Sequence, residues 1–235
     1  MAYKYTTINN QLALFTKDFF KEAQDLPKIF DKIIKEIDFF DKEACSFIPL
    51  PSSAPREIPR MIFKGEDNNK GITVNISYDK FDIYWNEKPG DSIENKLKIE
   101  SIINLFNNLT ACFDEKLLFK RVGLIKRFFV DYKDGEDIFE KIIKSAKYND
   151  LYAYSIKLTF NEDLDKNHQI SIDKVKVGNK EDNLTDAMQI ASDFNTKKET
   201  EDSNRFDNND INDFIKDNFN KNEENSVVSK ITNTK

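Results

Sequence analysis

Residues capable of acid–base, nucleophilic or metal chemistry are few in this chain, which has one histidine and two cysteines. Because His168 is that histidine, a triad, a cysteine–histidine dyad or a multi-histidine metal site is either excluded or must lack histidine partners. It lies in a predicted turn, where we expect an exposed polar residue. Cys45 and Cys112 are too far apart in sequence for a metal-binding spacing or a disulfide framework, so we expect free thiols in a reducing compartment.

Three residues match the first ligands of an EF-hand loop: Asp163, Asp165 and Asn167. The position that requires glycine holds His168, and the position of the closing bidentate glutamate holds Lys174. Without the sharp turn and the last carboxylate, a charged hairpin turn is the better interpretation.

Asp82, Glu94 and Lys96 have the D…E-x-K order of some metal-dependent nucleases. That chemistry needs the carboxylates and the lysine on adjacent strands around a metal ion. Glu94 and Lys96 instead open a predicted helix and point to different faces of it, so we expect no nuclease site.

A basic and aromatic stretch lies on and before a predicted long strand: Lys116, Lys120, Arg121, Lys126, Arg127, Phe128 and Phe129. Such side chains on a sheet are typical of single-stranded nucleic acid binding. The competing interpretation is a solvated strand face with the phenylalanines in the core. The acidic chain favours this second interpretation, and nucleic acid binding through Lys120, Arg121, Lys126 and Arg127 remains the alternative.

Motifs with a known mechanism are absent: the sequence has no G-x-G-x-x-G, Walker A, H-E-x-x-H or G-x-S-x-G pattern. We therefore expect neither a cofactor nor a metal ion. An enzyme of unfamiliar type would have to use carboxylates such as Asp131, Asp173 and Asp193, and nothing in the sequence places these near one another.

The elements that would position these residues indicate an α+β fold, with antiparallel strands packed against three main helices and a flexible C-terminal tail that carries a short helix. Helical spacing of apolar residues predicts helices over 26–41, 92–115 and 136–147. Alternating apolar residues predict strands over 60–64, 72–78, 81–85, 118–132, 151–160, 169–177 and 184–194. Two short strands, 3–8 and 11–16, are expected on either side of a turn at Asn9 and Asn10, and Gly123 indicates a bulge or a close approach.

The polar composition after residue 194 divides the chain into a globular domain at 1–194 and a C-terminal segment at 195–235. A polar linker would lead to an amphipathic helix at 209–220, followed by a mobile end. Four residues form the apolar stripe of that helix: Ile211, Phe214, Ile215 and Phe219. The stripe would dock in a partner's groove or pack on the protein's own sheet, and the sequence favours neither.

Overall charge and hydropathy limit the class of partner. The net charge of −6 disfavours non-specific binding to nucleic acid or to an anionic membrane. The N-terminus lacks the apolar run of a signal peptide, and no stretch approaches a membrane span, so we expect a soluble cytoplasmic protein. The residues at 45–60 include four prolines and predict an extended connector.

Several segments together resemble a sporadically distributed, functionally uncharacterised bacterial family of similar length. Residues 58–63, 65–67 and 81–86 resemble its "PR…S-x-D-G…D-R-F-x-x-N-W" region, with Trp85 and Asn86 in reversed order. Residues 119–124 resemble its "R-x-G-L-R-Y" strand without the second arginine, and 190–195 its "D-x-D" strand. The resemblance implies an antiparallel α+β fold and a patchy distribution, which is associated with defence or counter-defence systems.

From these observations we expect a non-catalytic protein-binding module: a regulator, an antitoxin or immunity-type inhibitor, or a subunit of a defence or counter-defence complex. A protein partner is expected, and a homodimer through an exposed sheet edge is left open.

Overall fold

The computed structural model describes residues 5–16, 25–51, 53–66, 71–86, 95–114, 116–131, 133, 135–138, 155–162, 166–177, 185–197 and 206–233. Within them lie nine strands: β1 (Tyr5–Phe15), β2 (Ser46–Phe47), β3 (Met61–Lys64), β4 (Ile72–Ile76), β5 (Lys80–Trp85), β6 (Arg121–Asp131), β7 (Ser155–Asn161), β8 (Lys166–Val177) and β9 (Thr185–Thr196). Four α-helices have described bounds, α1 (Asp25–Glu36), α2 (Asn95–Ala111), α3 (Asn208–Asn218) and α4 (Glu224–Thr232), and a 3-10 helix lies at Asn220–Asn222. Residues 135–138 are also helical.

The strands form one sheet in the order β2-β3-β4-β5-β1-β6-β9-β8-β7, with every neighbouring pair antiparallel. The expected α+β class is confirmed. The N-terminal strand β1 lies at the centre, where Leu12 pairs with Ile83 of β5 on one side and with Leu124 of β6 on the other.

Alternation along the strands divides the sheet into an apolar face and a polar face. Leu12, Leu14, Ile83 and Leu124 share the apolar face and belong to a core cluster that also includes buried side chains of α1 and α2. A second cluster centres on Phe128 of β6 and its neighbours in β8 and β9. Every sheet residue in the two clusters lies on the same face, so the described helices cover one side of the sheet.

The C-terminal helices belong to this covering layer. Asp207 begins α3 with a capping box, because its side chain accepts bonds from the backbone N–H groups of Asn209 and Asp210 while Asp210 bonds back to it. The four predicted docking residues, Ile211, Phe214, Ile215 and Phe219, are buried in the first core cluster. In α4, Val227, Val228 and Ile231 are buried in the second cluster.

Where a mobile end was predicted, residues 220–222 and 224–232 are helical and contribute buried side chains. Apolar contact with the sheet stabilises these residues. Val227, Val228 and Ile231 lie on one face of the last helix, and the mean polarity of the segment does not reveal such a pattern.

The predicted turn at Asn9 and Asn10 is wrong. One continuous strand runs through it, and the register between β1 and β6 shifts by a residue between Thr7 and Asn9. A β-bulge thus takes the place of a turn.

Two helix ends also differ from prediction, and the second helix ends at Ala111 and not at residue 115. The first helix ends at Glu36, and Phe40 instead forms an antiparallel bridge with Gly65. The predicted cap of the second helix lies outside the described residues, as does most of the helix predicted over 136–147. Among the described helices, none is long and apolar enough to cross a membrane.

No bulge forms at Gly123, since the register with both neighbouring strands is continuous there, and the predicted close approach is no tighter than ordinary van der Waals contact. A Cβ at this position would lie 3.4 Å from Oδ1 of Asp193.

The buried stripe of α3 yields a stability prediction. Ile215→Ala should lower the free energy of unfolding by about 2–5 kcal/mol, because it removes a fully buried side chain and leaves a cavity. Asp217→Ala, an exposed position of the same helix, should change it by less than about 0.5 kcal/mol. Denaturant unfolding measures both values, and equal stability of the two variants would contradict the packing of α3 on its own sheet.

Candidate functional site

The polar face of the sheet is the most organised set of functional groups in the described part of the chain. Four adjacent central strands each contribute a polar side chain that points away from the apolar face: Gln11, Asp82, Arg127 and Asp193. None of the described helices contributes to this side. We call these residues, with Lys80, Tyr84, Arg121 and Phe15, the open face.

A chain of hydrogen bonds fixes the side chains of the open face across three strands. Gln11 donates from Nε2 to Oδ1 of Asp82 at 2.8 Å, and Lys80 Nζ lies 3.0 Å from the other oxygen of that carboxylate. Arg127 donates from Nη1 to Oε1 of Gln11 at 3.4 Å and to Oδ1 of Asn9 at 3.2 Å. Gln11 therefore connects a guanidinium on β6 to a carboxylate on β5, and little rotamer freedom remains to be lost on binding.

Tyr84 lies at the side of this network. Its hydroxyl oxygen is 3.3 Å from Nε2 of Gln11. Burial and the charge of Asp82 raise the pKa of Tyr84 to about 12, so the phenol keeps its proton at neutral pH.

Asp193 and Arg121 leave polar atoms without hydrogen-bond partners. Burial raises the pKa of the Asp193 carboxyl, against the opposing effects of a hydrogen bond from Asn195 and the charges of Arg121, Arg127 and Lys157. Among the described residues, neither Oδ1 of Asp193 nor Nε of Arg121 has a hydrogen-bond partner, and both atoms are buried. A buried unsatisfied group costs free energy, and native proteins keep few such groups.

Aromatic rings contribute to the same face. Arg121 places its guanidinium carbon 5.4 Å from the centre of the Phe15 ring, and Lys80 Nζ lies 5.2 Å from it. Phe129 shares this side of β6 with Arg121 and Arg127, since the three are separated by even numbers of residues. The open face thus combines cations, aromatic rings and fixed amide groups on a rigid sheet.

The four predicted nucleic acid contacts do not share one surface. Arg121 and Arg127 lie on the open face, and Lys120 precedes the strand. Lys126 points to the opposite side, where it is 5% exposed and its Nζ lies 3.0 Å from Oε1 of Glu224. Alternation along β6 makes this separation unavoidable, because adjacent residues of a strand point to opposite faces.

His168 was predicted to be exposed in a turn, and that prediction is wrong. It lies in β8 on the apolar face with 0% exposure, and its ring stacks on Phe194 at 3.7 Å between centroids. Its Nε2 atom is 2.7 Å from Oγ of Ser192, and Glu162 Oε1 is 3.6 Å from Nδ1. The residues around position 168 are polar, so the sequence did not indicate a strand there. The side chain that this strand directs into the core is the imidazole of His168.

Serine, histidine and glutamate in this order resemble a catalytic triad, but the hydrogen-bond directions oppose that role. Asn222 donates from Nδ2 to the carbonyl of Leu124 at 3.0 Å, so its Oδ1 must accept the hydroxyl proton of Ser192. His168 must then donate from Nε2 to Ser192, which leaves Nδ1 unprotonated. An imidazole in this tautomer cannot take a proton from Ser192, and Ser192 itself is fully buried.

The surroundings of this cluster are also largely closed. Glu162 contacts Nζ of Lys230, which lies 4.9 Å from the ring centre of Phe160 and 5.7 Å from that of Phe194. Burial lowers the pKa of Lys230. A shallow depression of about 370 Å³ lies outside it, lined by Glu162, Phe194, Asn220, Lys221, Ser226 and Lys230. The cluster joins β8 and β9 to the C-terminal helices.

The metal-like patterns receive no support from the structure. Glu94, Asp163 and Asp165 lie outside the described residues. Among the residues that are described, no three histidine, cysteine or acidic side chains are grouped to hold a metal ion.

The three carboxylates considered for an unfamiliar enzyme share the open side of the sheet but not one site. Asp193 pairs with Gln169, and Asp173 lies four residues further along β8. The rise of a strand separates these positions by about 13 Å, and Asp131 is at the end of β6.

Comparisons with known proteins identify no relative: no family model, no curated protein and no solved structure matches the chain.

The buried imidazole predicts an acid-sensitive stability. Burial lowers the pKa of His168 to about 4 from 6.5, so below pH 6.5 the unfolded chain binds a proton that the folded chain does not. Stability is therefore lost as the pH falls from 6.5 to 4, by about 3 kcal/mol in total. Urea unfolding of the native protein and His168→Gln should show a steeper loss for the native protein in this window.

Because His168 is the only histidine in the chain, its imidazole signals in an NMR spectrum need no assignment. They should report a neutral ring protonated at Nε2 at pH 5.5. A ring that titrates near pH 6.5, or one protonated at Nδ1, would contradict the sealed cluster.

Proposed function

We propose that this protein is a non-catalytic protein-binding module, acting as a regulator, an inhibitor or a subunit of a complex, and that it binds its partner through the open face. The observation that carries the proposal is a fixed polar network on the same side of the sheet as two buried atoms, Oδ1 of Asp193 and Nε of Arg121, that have no hydrogen-bond partner among the described residues.

A pre-organised face suits the binding of another folded surface. The bonds of Gln11 to Asp82 and of Arg127 to Asn9 and Gln11 hold the side chains before the partner arrives. Binding then costs less side-chain entropy. Arginine and aromatic residues are enriched in protein interfaces, and both are concentrated here.

The charge of the face indicates what the partner presents. Arg121, Arg127 and Lys157 all act on Asp193, so three cations accompany one buried carboxyl. Lys80 and Asp82 neutralise each other nearby. Both atoms are buried in the free protein, so the side chains of Arg121 and Asp193 would have to turn outward on binding. A partner carboxylate would then satisfy Nε of Arg121, and a hydroxyl or amide donor would satisfy Oδ1 of Asp193.

The sequence hypothesis of docking through α3 requires a different state of the protein. Its four residues are packed on the sheet, so docking would need α3 to leave the core. Binding at the open face would require side-chain movement at Arg121 and Asp193 but would leave every described helix in place, and we favour it for that reason.

Nucleic acid is the second candidate, because Arg121, Arg127 and Phe129 share one side of β6. Stacking of bases on aromatic rings beside arginines is a common way for a sheet to bind a single strand. The two candidates differ in salt dependence, since phosphate contacts release counterions and weaken steeply with salt.

An affinity pull-down from the native cytosol, with nuclease treatment, tests the proposal. Arg121→Ala should weaken capture of a stoichiometric protein partner by about tenfold or more, as expected for a desolvated arginine at an interface. Lys216→Ala, an exposed cation on α3, should leave capture unchanged. Melting temperatures of both variants establish that they are folded.

Equal capture by Arg121→Ala and the native protein would contradict binding through the open face. Recovery of nucleic acid in place of protein, with binding that falls steeply between 50 and about 200 mM salt, would favour the second candidate.

A further inference from the structure

Strand β7 is the last strand of the sheet, and only its inner side is paired. It has seven residues, with neither proline nor glycine and with one charged side chain, Lys157. Natural proteins usually protect an edge with prolines, bulges or several charges, because an unprotected edge pairs with other strands. Within the described part of the chain, no strand pairs with the outer side of β7.

The direction of the backbone groups of β7 follows from a single hydrogen bond. Glu162 donates from its backbone N–H to the carbonyl of Lys166 at 3.2 Å. Residues alternate between bonding and non-bonding pairs in an antiparallel ladder, so Ile156, Leu158 and Phe160 bond inward to β8. The outward N–H and C=O groups are those of Ser155, Lys157, Thr159 and Asn161.

We propose that this edge is a dimer interface, in which β7 pairs antiparallel with β7 of a second copy about a two-fold axis at Leu158. All seven residues overlap in this register. Lys157 then faces Thr159 of the other copy, and Ser155 faces Asn161, so every outward backbone group has a partner.

Chemistry selects this register over its neighbours. An axis at Lys157 would place two ammonium groups directly opposite each other, which is destabilising. An axis at Thr159 would leave Ser155 and Ile156 unpaired. A shift by one residue would set an inward-bonding residue opposite an outward one and break the ladder.

The apolar face supports the same pairing. Leu158 and Phe160 are partly buried against the second core cluster. Around the axis, Leu158 would meet its own copy and Ile156 would meet Phe160. The half-exposed apolar row of β7 would thus become continuous across the two sheets, which is the self-complementarity that a two-fold interface requires.

A cysteine at the axis tests both the dimer and its register. In a Cys45→Ser, Cys112→Ala background, Leu158→Cys should form a disulfide-linked dimer under mild oxidation, because opposed residues of a non-bonded pair lie about 4.5 Å apart at Cα. Thr159→Cys is the matched control, since it faces Lys157 and not itself. Equal cross-linking of the two variants would overturn the register.

A proline substitution tests the backbone pairing with the natural cysteines in place. Thr159→Pro removes an outward N–H and leaves the bonds to β8 intact. It should raise the dimer dissociation constant at least about tenfold, while Thr159→Ala should change it by less than about twofold. Sedimentation velocity over a series of concentrations measures both.

A native protein that remains monomeric up to about 100 μM, above the micromolar range expected for a small interface, would overturn the proposal. So would a Thr159→Pro variant that dimerises like the native protein. Lys157 of β7 also acts on Asp193, but the variants that test the edge leave Lys157 and Arg121 unchanged, so the outcomes of the two tests are distinguishable.

Discussion

The central position of β1 is the constraint on which the rest of the structure depends. This strand pairs with β5 on one side and with β6 on the other. It therefore joins the meander β2–β5 to the group β6–β9, which share no ladder of their own. Leu12 and Leu14 fill the core on one side of β1, and Gln11 connects Arg127 to Asp82 on the other. One strand thus positions both the core and the open face.

The His168 cluster and the open face lie on opposite sides of this sheet and therefore differ in what covers them. The His168 cluster lies under the C-terminal helices, and nearly every donor and acceptor in it is used to hold β8, β9 and Asn222 together. The open face has no described helix above it and retains unsatisfied atoms at Asp193 and Arg121. The His168 cluster also leaves one atom without a described partner, Nδ1 of His168, so the position of each group relative to the helices, and not the unsatisfied atoms alone, distinguishes the two.

Periodicity in the sequence predicted most of the local structure. The meander β3–β5 and the helices α1, α2 and α3 follow from apolar spacing within about fifteen residues. Pairing between distant segments does not follow from such windows. Contact between β1 and β6 joins residues more than a hundred positions apart. The sequence of neither strand indicates which strand it pairs with.

The candidate site was predictable only in part, for the same reason. Arg121 and Arg127 were recognised as a basic pair, but Gln11, Asp82 and Asp193 reach them only through the strand order. His168 was misjudged because its neighbours are polar. The strand there has its polar residues facing solvent and its one imidazole facing the core, so local composition and actual burial disagree.

The central claim is that the open face, and not the layer of C-terminal helices, meets the partner. Hydroxyl-radical footprinting of the free protein and of the complex captured from native cytosol tests this most directly, since aromatic side chains report their own exposure. The account predicts protection of Phe15, Tyr84 and Phe129 in the complex, with the exposed Ile58 unchanged. Protection confined to the outer surfaces of α3 and α4, with those three rings as reactive as in the free protein, would contradict it.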